Sequence, residues 1–120
     1  PILSFFNFKG RVEEADCATD ARLCLISAAE VTLAWDPPPT PVVSYRLYYR
    51  SHGTEAWTFQ VEIPAADTPQ YTLHHCDFGN GDFDFGVVAD GENAVQSTMH
   101  TSLDETAYPE GGWYLRWELL

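Results

Sequence analysis

Hydrophobic and polar residues alternate with a period of two along most of this chain. Val31, Leu33 and Trp35 are separated by Thr32 and Ala34, and the run stops at Asp36 and the prolines that follow. Such alternation marks a half-buried strand, because successive side chains point to opposite faces. The pattern recurs at Tyr45, Leu47 and Tyr49, interleaved with Arg46, Tyr48 and Arg50 and closed by the turn Ser51-His52-Gly53. Trp57, Phe59, Val61 and Ile63 predict a third strand ending at Pro64, and Tyr71 and Leu73 a fourth ending at Gly79-Asn80-Gly81. Phe83, Phe85, Val87 and Ala89 predict a fifth, with Asp82, Asp84 and Val88 on its other face. After the turn Asp90-Gly91-Glu92-Asn93, residues 95–103 predict a sixth. No segment sustains a helical i, i+3, i+4 stripe. Short strands punctuated by Pro and Gly predict an all-β chain folded as one β-sandwich domain, with Trp35, Tyr45, Tyr49, Phe85 and Val87 in its core.

The two ends extend this pattern. Residues 1–22 form an N-terminal extension in which Ile2, Phe6 and Phe8 alternate with Leu3 and Phe5, predicting a strand over 1–9. Residues 104–120 carry a C-terminal strand whose Trp113, Leu115, Trp117 and Leu119 share one face. The ends of a domain often lie close together, so these strands are expected to pair with each other. The Trp/Leu face has three readings. It caps the sandwich together with Phe6 and Phe8, or it forms an exposed strip for self-association by edge pairing or contact with a neighbouring domain, or it stacks on sugar rings.

Taken together, residues 23–103 resemble a fibronectin type III domain. The family's apolar alternation followed by Trp, Asp and prolines stands here as Val31-Thr32-Leu33-Ala34-Trp35-Asp36-Pro37-Pro38. Its alternate Tyr, apolar, Tyr is Tyr45, Leu47 and Tyr49; its next apolar pair is Tyr71 and Leu73. Its aromatic, aromatic, Val, Ala pattern is Phe83, Phe85, Val87 and Ala89, with Ser97 where the last strand begins. The chain departs from the family at Phe83, where the Tyr of the tyrosine corner is usual, and at the preceding turn Cys76-Asp77-Phe78-Gly79-Asn80-Gly81. The resemblance implies an immunoglobulin-like, seven-stranded antiparallel sandwich with extra terminal strands, and roles in adhesion, spacing or docking. In that topology the strands at 45–50 and 82–89 run antiparallel side by side, which sets Arg50 near Asp82 and Arg46 near Asp84 or one step beyond.

Charge narrows the partners. Among 120 residues, six basic and 18 acidic residues give a net charge of −12. From Ser51 to Leu115 there is no Lys or Arg. Such a chain repels phosphate backbones and anionic lipid, so a basic or neutral protein is the expected partner and nucleic acid is not. No apolar run is long enough to cross a membrane as a helix. Cysteines stand at 17, 24 and 76 without a C-x-x-C. A Cys17–Cys24 bridge would stabilise the fold by about 2–3 kcal/mol; the alternatives are a Cys24–Cys76 bridge or buried free thiols. A bridge, a single Lys9 and Asp-rich loops point to a secreted, periplasmic or cell-surface location. The start at Pro1 fits either removal of an export signal or an imposed boundary, and the first residues lack a signal's basic region.

Candidate chemistry is sparse. Asp77, Asn80, Asp82, Asp84, Asp90 and Glu92 are oxygen ligands of the kind Ca²⁺ takes, but they follow no EF-hand order, and alternation spreads them along a strand face. His74 and His75 are adjacent and so point to opposite faces of a strand. Ser97 and His100 are separated in the same way. No nucleophile elbow, phosphate loop, zinc-protease motif or cofactor motif is present. The expected function is a non-catalytic module for protein interaction or domain spacing, with a carbohydrate-binding accessory module as the alternative.

Overall fold

The computed structural model describes residues 2–5, 16–18, 23–35, 41–66, 69–97, 99–103 and 113–119; of 2–5, 16–18 and Ala94 it describes the backbone alone. Its strands are β1 (Ile2–Phe5), β2 (Asp16–Ala18), β3 (Leu23–Ile26), β4 (Glu30–Trp35), β5 (Ser44–Ser51), β6 (Thr58–Pro64), β7 (Gln70–His74), β8 (Gly81–Asp90), β9 (His100–Thr101) and β10 (Tyr114–Trp117). One helical turn, α1 (His75–Phe78), and a 3₁₀ turn at Glu92–Ala94 interrupt them. The chain is all-β, as its period-two patterning predicts.

β8 organises the larger sheet, whose order is β2-β3-β10-β8-β5-β6. On one side it pairs from Phe83 to Asp90 with β5; on the other it pairs first with β10 and then with β9. Where pairing passes from β10 to β9, Ser102 fills the gap. The Phe85 N–H donates to its hydroxyl at 3.2 Å, and the Ser102 and Trp113 N–H groups complete a backbone path through it. Ser97 acts likewise further along, accepting the Ala89 N–H on its hydroxyl at 2.9 Å. The smaller sheet is β1-β4-β7. The apolar faces of the two sheets share one core, in which Val31, Leu33, Trp35 and Leu73 of the smaller sheet join Leu47, Phe85, Val87 and Leu115 of the larger.

Three expectations are corrected here. The sheets are mixed, not purely antiparallel, and hold ten strands among the described residues: β1 runs parallel to β4, and β10 parallel to β3. β3 stays in the larger sheet, and residues 27–29 carry the chain from it into β4 of the smaller one. The terminal strands do not pair with each other; β10 lies between β3 and β8, and β1 lies against β4. Phe59 does not share a face with Val61 and Ile63. The β5–β6 register slips between Leu47 and Tyr48, so Phe59 falls opposite Tyr48 and is 52% exposed. A bulge inserts one residue and reverses the alternation beyond it. The fourth strand ends in the helical turn α1, and Gly79 follows at φ 75°, a conformation that favours glycine. Phe6, Phe8 and the proline loop at 37–39 lie outside the described residues.

Candidate functional site on the outer face of the larger sheet

The β5–β8 register sends Tyr45, Leu47 and Tyr49 inward with Ala89, Val87 and Phe85, and sends Arg46, Tyr48 and Arg50 outward with Val88, Gly86 and Asp84. The outward positions form a ladder of ion pairs. The Arg46 guanidinium grips the Asp90 carboxylate with Nε at 2.7 Å and Nη2 at 3.0 Å, and its Nη1 donates to the Tyr48 hydroxyl at 2.8 Å. Arg50 Nε donates to Asp84 Oδ2 at 3.0 Å. Arg116 of β10 holds Asp82 with Nε at 2.8 Å and Nη2 at 3.1 Å. Two of these forks are bidentate, the strong geometry for Arg and carboxylate.

Asp84 is the centre of the ladder. It is completely buried, yet it points away from the core, and it is satisfied on both oxygens. Arg50 takes one, and His52 Nδ1 lies 2.8 Å from the other. Aromatic rings close the site at both ends. The Arg50 guanidinium sits 4.0 Å over the Trp57 ring, and the His52 ring stacks on Tyr114 at 3.9 Å with the planes 9° apart. Further along, Tyr48 meets Phe59 edge to face at 5.7 Å. Gly86 lies under the Met99 thioether; a Cβ there would come within 2.7 Å of the sulfur.

The electrostatics follow from the pairing. The Arg116 fork and its positive charge outweigh burial and hold the Asp82 carboxyl below the ordinary range. The same fork raises the Arg116 guanidinium, and the Asp90 hydrogen bond raises that of Arg46. Three arginines therefore meet three aspartates, and these pairs cancel one another on a chain of net −12, with Glu62 lying across from Arg46 as an added acid. Every carboxylate of the ladder is occupied, so the arrangement suits non-covalent recognition through Arg, Tyr, Trp and Phe.

Arg50 pairs with Asp84, not Asp82, and Arg46 with Asp90, not Asp84. Ser51 lies opposite Phe83, which shifts the pairing by two residues, and Asp82 is taken by Arg116 from a strand the sequence reading placed elsewhere. The proposed interaction strip is also corrected. Trp113, Leu115 and Trp117 are 2%, 0% and 0% exposed, and Leu119 is half-buried. The Trp117 indole N–H donates to the Ala28 carbonyl at 2.8 Å, and β10 is paired on both sides, so it offers neither an exposed apolar face nor a free edge.

The other singled-out residues are placed as follows. Cys17 and Cys24 are register partners on β2 and β3; Cys24 is disulfide-bonded, and Cys76 is a free exposed thiol, so Cys24 and Cys76 do not pair. His74 lies 3.6 Å from Glu30, whereas His75 Nε2 lies 2.7 Å from Asn80 Oδ1. Among the described residues no three His, Cys, Asp or Glu side chains converge as metal ligands. No described helix is long and apolar enough to cross a membrane. Sequence reading missed His52, Trp57 and Tyr114. The first had a usable signal: His52 continues the outward alternation Arg46, Tyr48, Arg50 into the turn Ser51-His52-Gly53.

Comparison with known proteins finds no matching family model, no matching curated protein and no matching solved structure.

Proposed function

We propose that this chain is a non-catalytic, fibronectin type III-like module of an exported or surface protein, and that it binds a neutral or basic protein through the outer face of its larger sheet. The observation that carries the reading is the neutral Arg–Asp ladder flanked by Trp57, Tyr48 and Phe59 on an otherwise strongly acidic chain. Here a partner meets three arginines, each paired to an aspartate, beside aromatic surface, and Arg and aromatic residues are enriched in interaction hot spots. Support for the sandwich type comes from the Trp35 strand lying in the smaller sheet and the Tyr45 and Phe85 strands lying side by side in the larger. Support for export comes from the half-cystine at Cys24, with Cys17 across the ladder taken as its partner. The carbohydrate alternative rested on Trp113 and Trp117, and their burial removes that basis.

Site-specific photo-cross-linking in the full-length parent protein, in its own host, tests the reading. A benzophenone side chain at Phe59 is expected to form a discrete protein adduct, and the same group at Gln70, on the opposite sheet, is not. Equal labelling from both positions, or none from either, overturns the proposal.

A further inference from the structure

Beyond the ladder, at the far end of β8, a second feature stands apart in chemistry. A cavity of about 290 Å³ opens between the segment leading into β5 and the turn after β8. Its apolar walls are Pro41, Val42, Ala89 and Val95, and Glu92, Gln96 and Ser97 complete the lining around Gly91. Val95 is 64% exposed, and Val43, the chain neighbour of Val42, is 56% exposed, two of the four large hydrophobics left open among the described residues. The walls are tied together by backbone hydrogen bonds: Val43 N–H to the Asp90 carbonyl at 2.7 Å, Gly91 N–H to the Val95 carbonyl at 2.6 Å, and Ser97 N–H to the Ala89 carbonyl at 2.8 Å. Gly91 permits the close approach, since a Cβ there would press on the Pro41 carbonyl oxygen at 3.3 Å. Next to Glu92, Asn93 holds a left-handed backbone at φ 59°, one of the few conformations a non-glycine side chain adopts chiefly when it is Asn or Asp.

The charges decide what the cavity takes. Asp82, Asp84 and Asp90 of β8 are each neutralised by an arginine. Glu92, just past the strand, has no cationic partner among the described residues, and it is exposed at an apolar cavity. Apolar walls with one unbalanced carboxylate are complementary to a flexible apolar stem ending in a cation. We infer that this cavity receives a lysine side chain of a partner protein, the methylenes lying on Val42, Ala89 and Val95 and the ammonium reaching Glu92. The stem would be desolvated on the walls while the charge stays near water, as long cationic side chains prefer. The inference is independent of the Phe59 face, so the outcome of either test leaves the other to stand or fall alone.

The test uses n-butylammonium as the probe, with n-butanol and butyrate as comparators, and reads the methyl resonances of Val42 and Val95 in the isotope-labelled chain. Butylammonium is expected to shift both residues saturably and more tightly than butanol, and butyrate more weakly than either. Glu92→Gln, an exposed substitution, is expected to weaken butylammonium about three- to fivefold, the worth of one exposed ion pair, and to leave butanol unchanged. Val95→Ser is expected to weaken both. Butylammonium and butanol binding alike, indifference to Glu92→Gln, or no saturable shift because another part of the chain already fills the cavity, each overturns the inference.

Discussion

On the inner face of β8, Phe85 and Val87 are fully buried in the cluster that holds Leu47, Leu115 and Trp117; on its outer face Asp84 is equally buried, but against Arg50 and His52. Two residues one step apart on the same strand thus leave water by opposite means. Phe85 is held by transfer of apolar surface and close packing, which are non-directional. Asp84 is tolerated only because both its oxygens are satisfied, and that requirement fixes geometry as well as charge. The inner face accordingly gives the fold its stability, while the outer face gives the sheet a defined array of side chains at low net charge.

Three perturbations test this division. The largest effect is expected inside: Trp117→Ala removes a fully buried ring and its bond to the Ala28 carbonyl, and should cost about 3–5 kcal/mol in chemical denaturation. That is a large share of the stability of a domain this size. Asp84→Ala comes next, at about 3 kcal/mol, because it leaves Arg50 facing a buried site without its counter-charge. Replacing both partners, as Asp84→Leu with Arg50→Met, should recover most of that loss. If the double variant is no better than the single one, the outer face is held by something other than the Arg50–Asp84 pair. The smallest effect concerns pH. The Asp82 carboxyl is lowered by its Arg116 partner, so its contribution is fully present above the ordinary aspartate value of about 3.9 and is lost as pH falls through the lowered folded value. Arg116→Gln should flatten that acid limb, measured as the midpoint of thermal unfolding against pH; an unchanged profile would mean the fork does not set the Asp82 titration.

Much of the inner face was legible in the sequence. Val31, Leu33 and Trp35, and likewise Phe83, Phe85, Val87 and Ala89, are buried as their alternation requires. The outer face was legible only in its residue types. Asp82 and Asp84 alternate correctly, but which arginine each meets depends on register, and register depends on where turns and bulges fall. A slip of two residues keeps every side chain on its proper face while changing every partner, so hydrophobic patterning cannot detect it. Phe59 failed for a related reason, since a one-residue bulge is invisible to a periodic template. Trp113 and Trp117 were correctly placed on one face of a strand. Whether that face meets solvent depends on which strands flank β10, and one of those, β3, comes from the opposite end of the chain.

The seating of β10 between β3 and β8 has a consequence for the order in which the molecule can be assembled. The bond from Trp117 to Ala28 spans 89 residues, so a strand near the start of the chain waits for one near its end. Closing such a loop is entropically unfavourable before any contact compensates it, and non-local pairing of this kind slows folding. A nascent chain emerging N-terminus first therefore holds an open slot beside β8 until Tyr114–Trp117 have been made. Until then the larger sheet is split into its β2-β3 and β8-β5-β6 parts, with nothing among the described strands to join them.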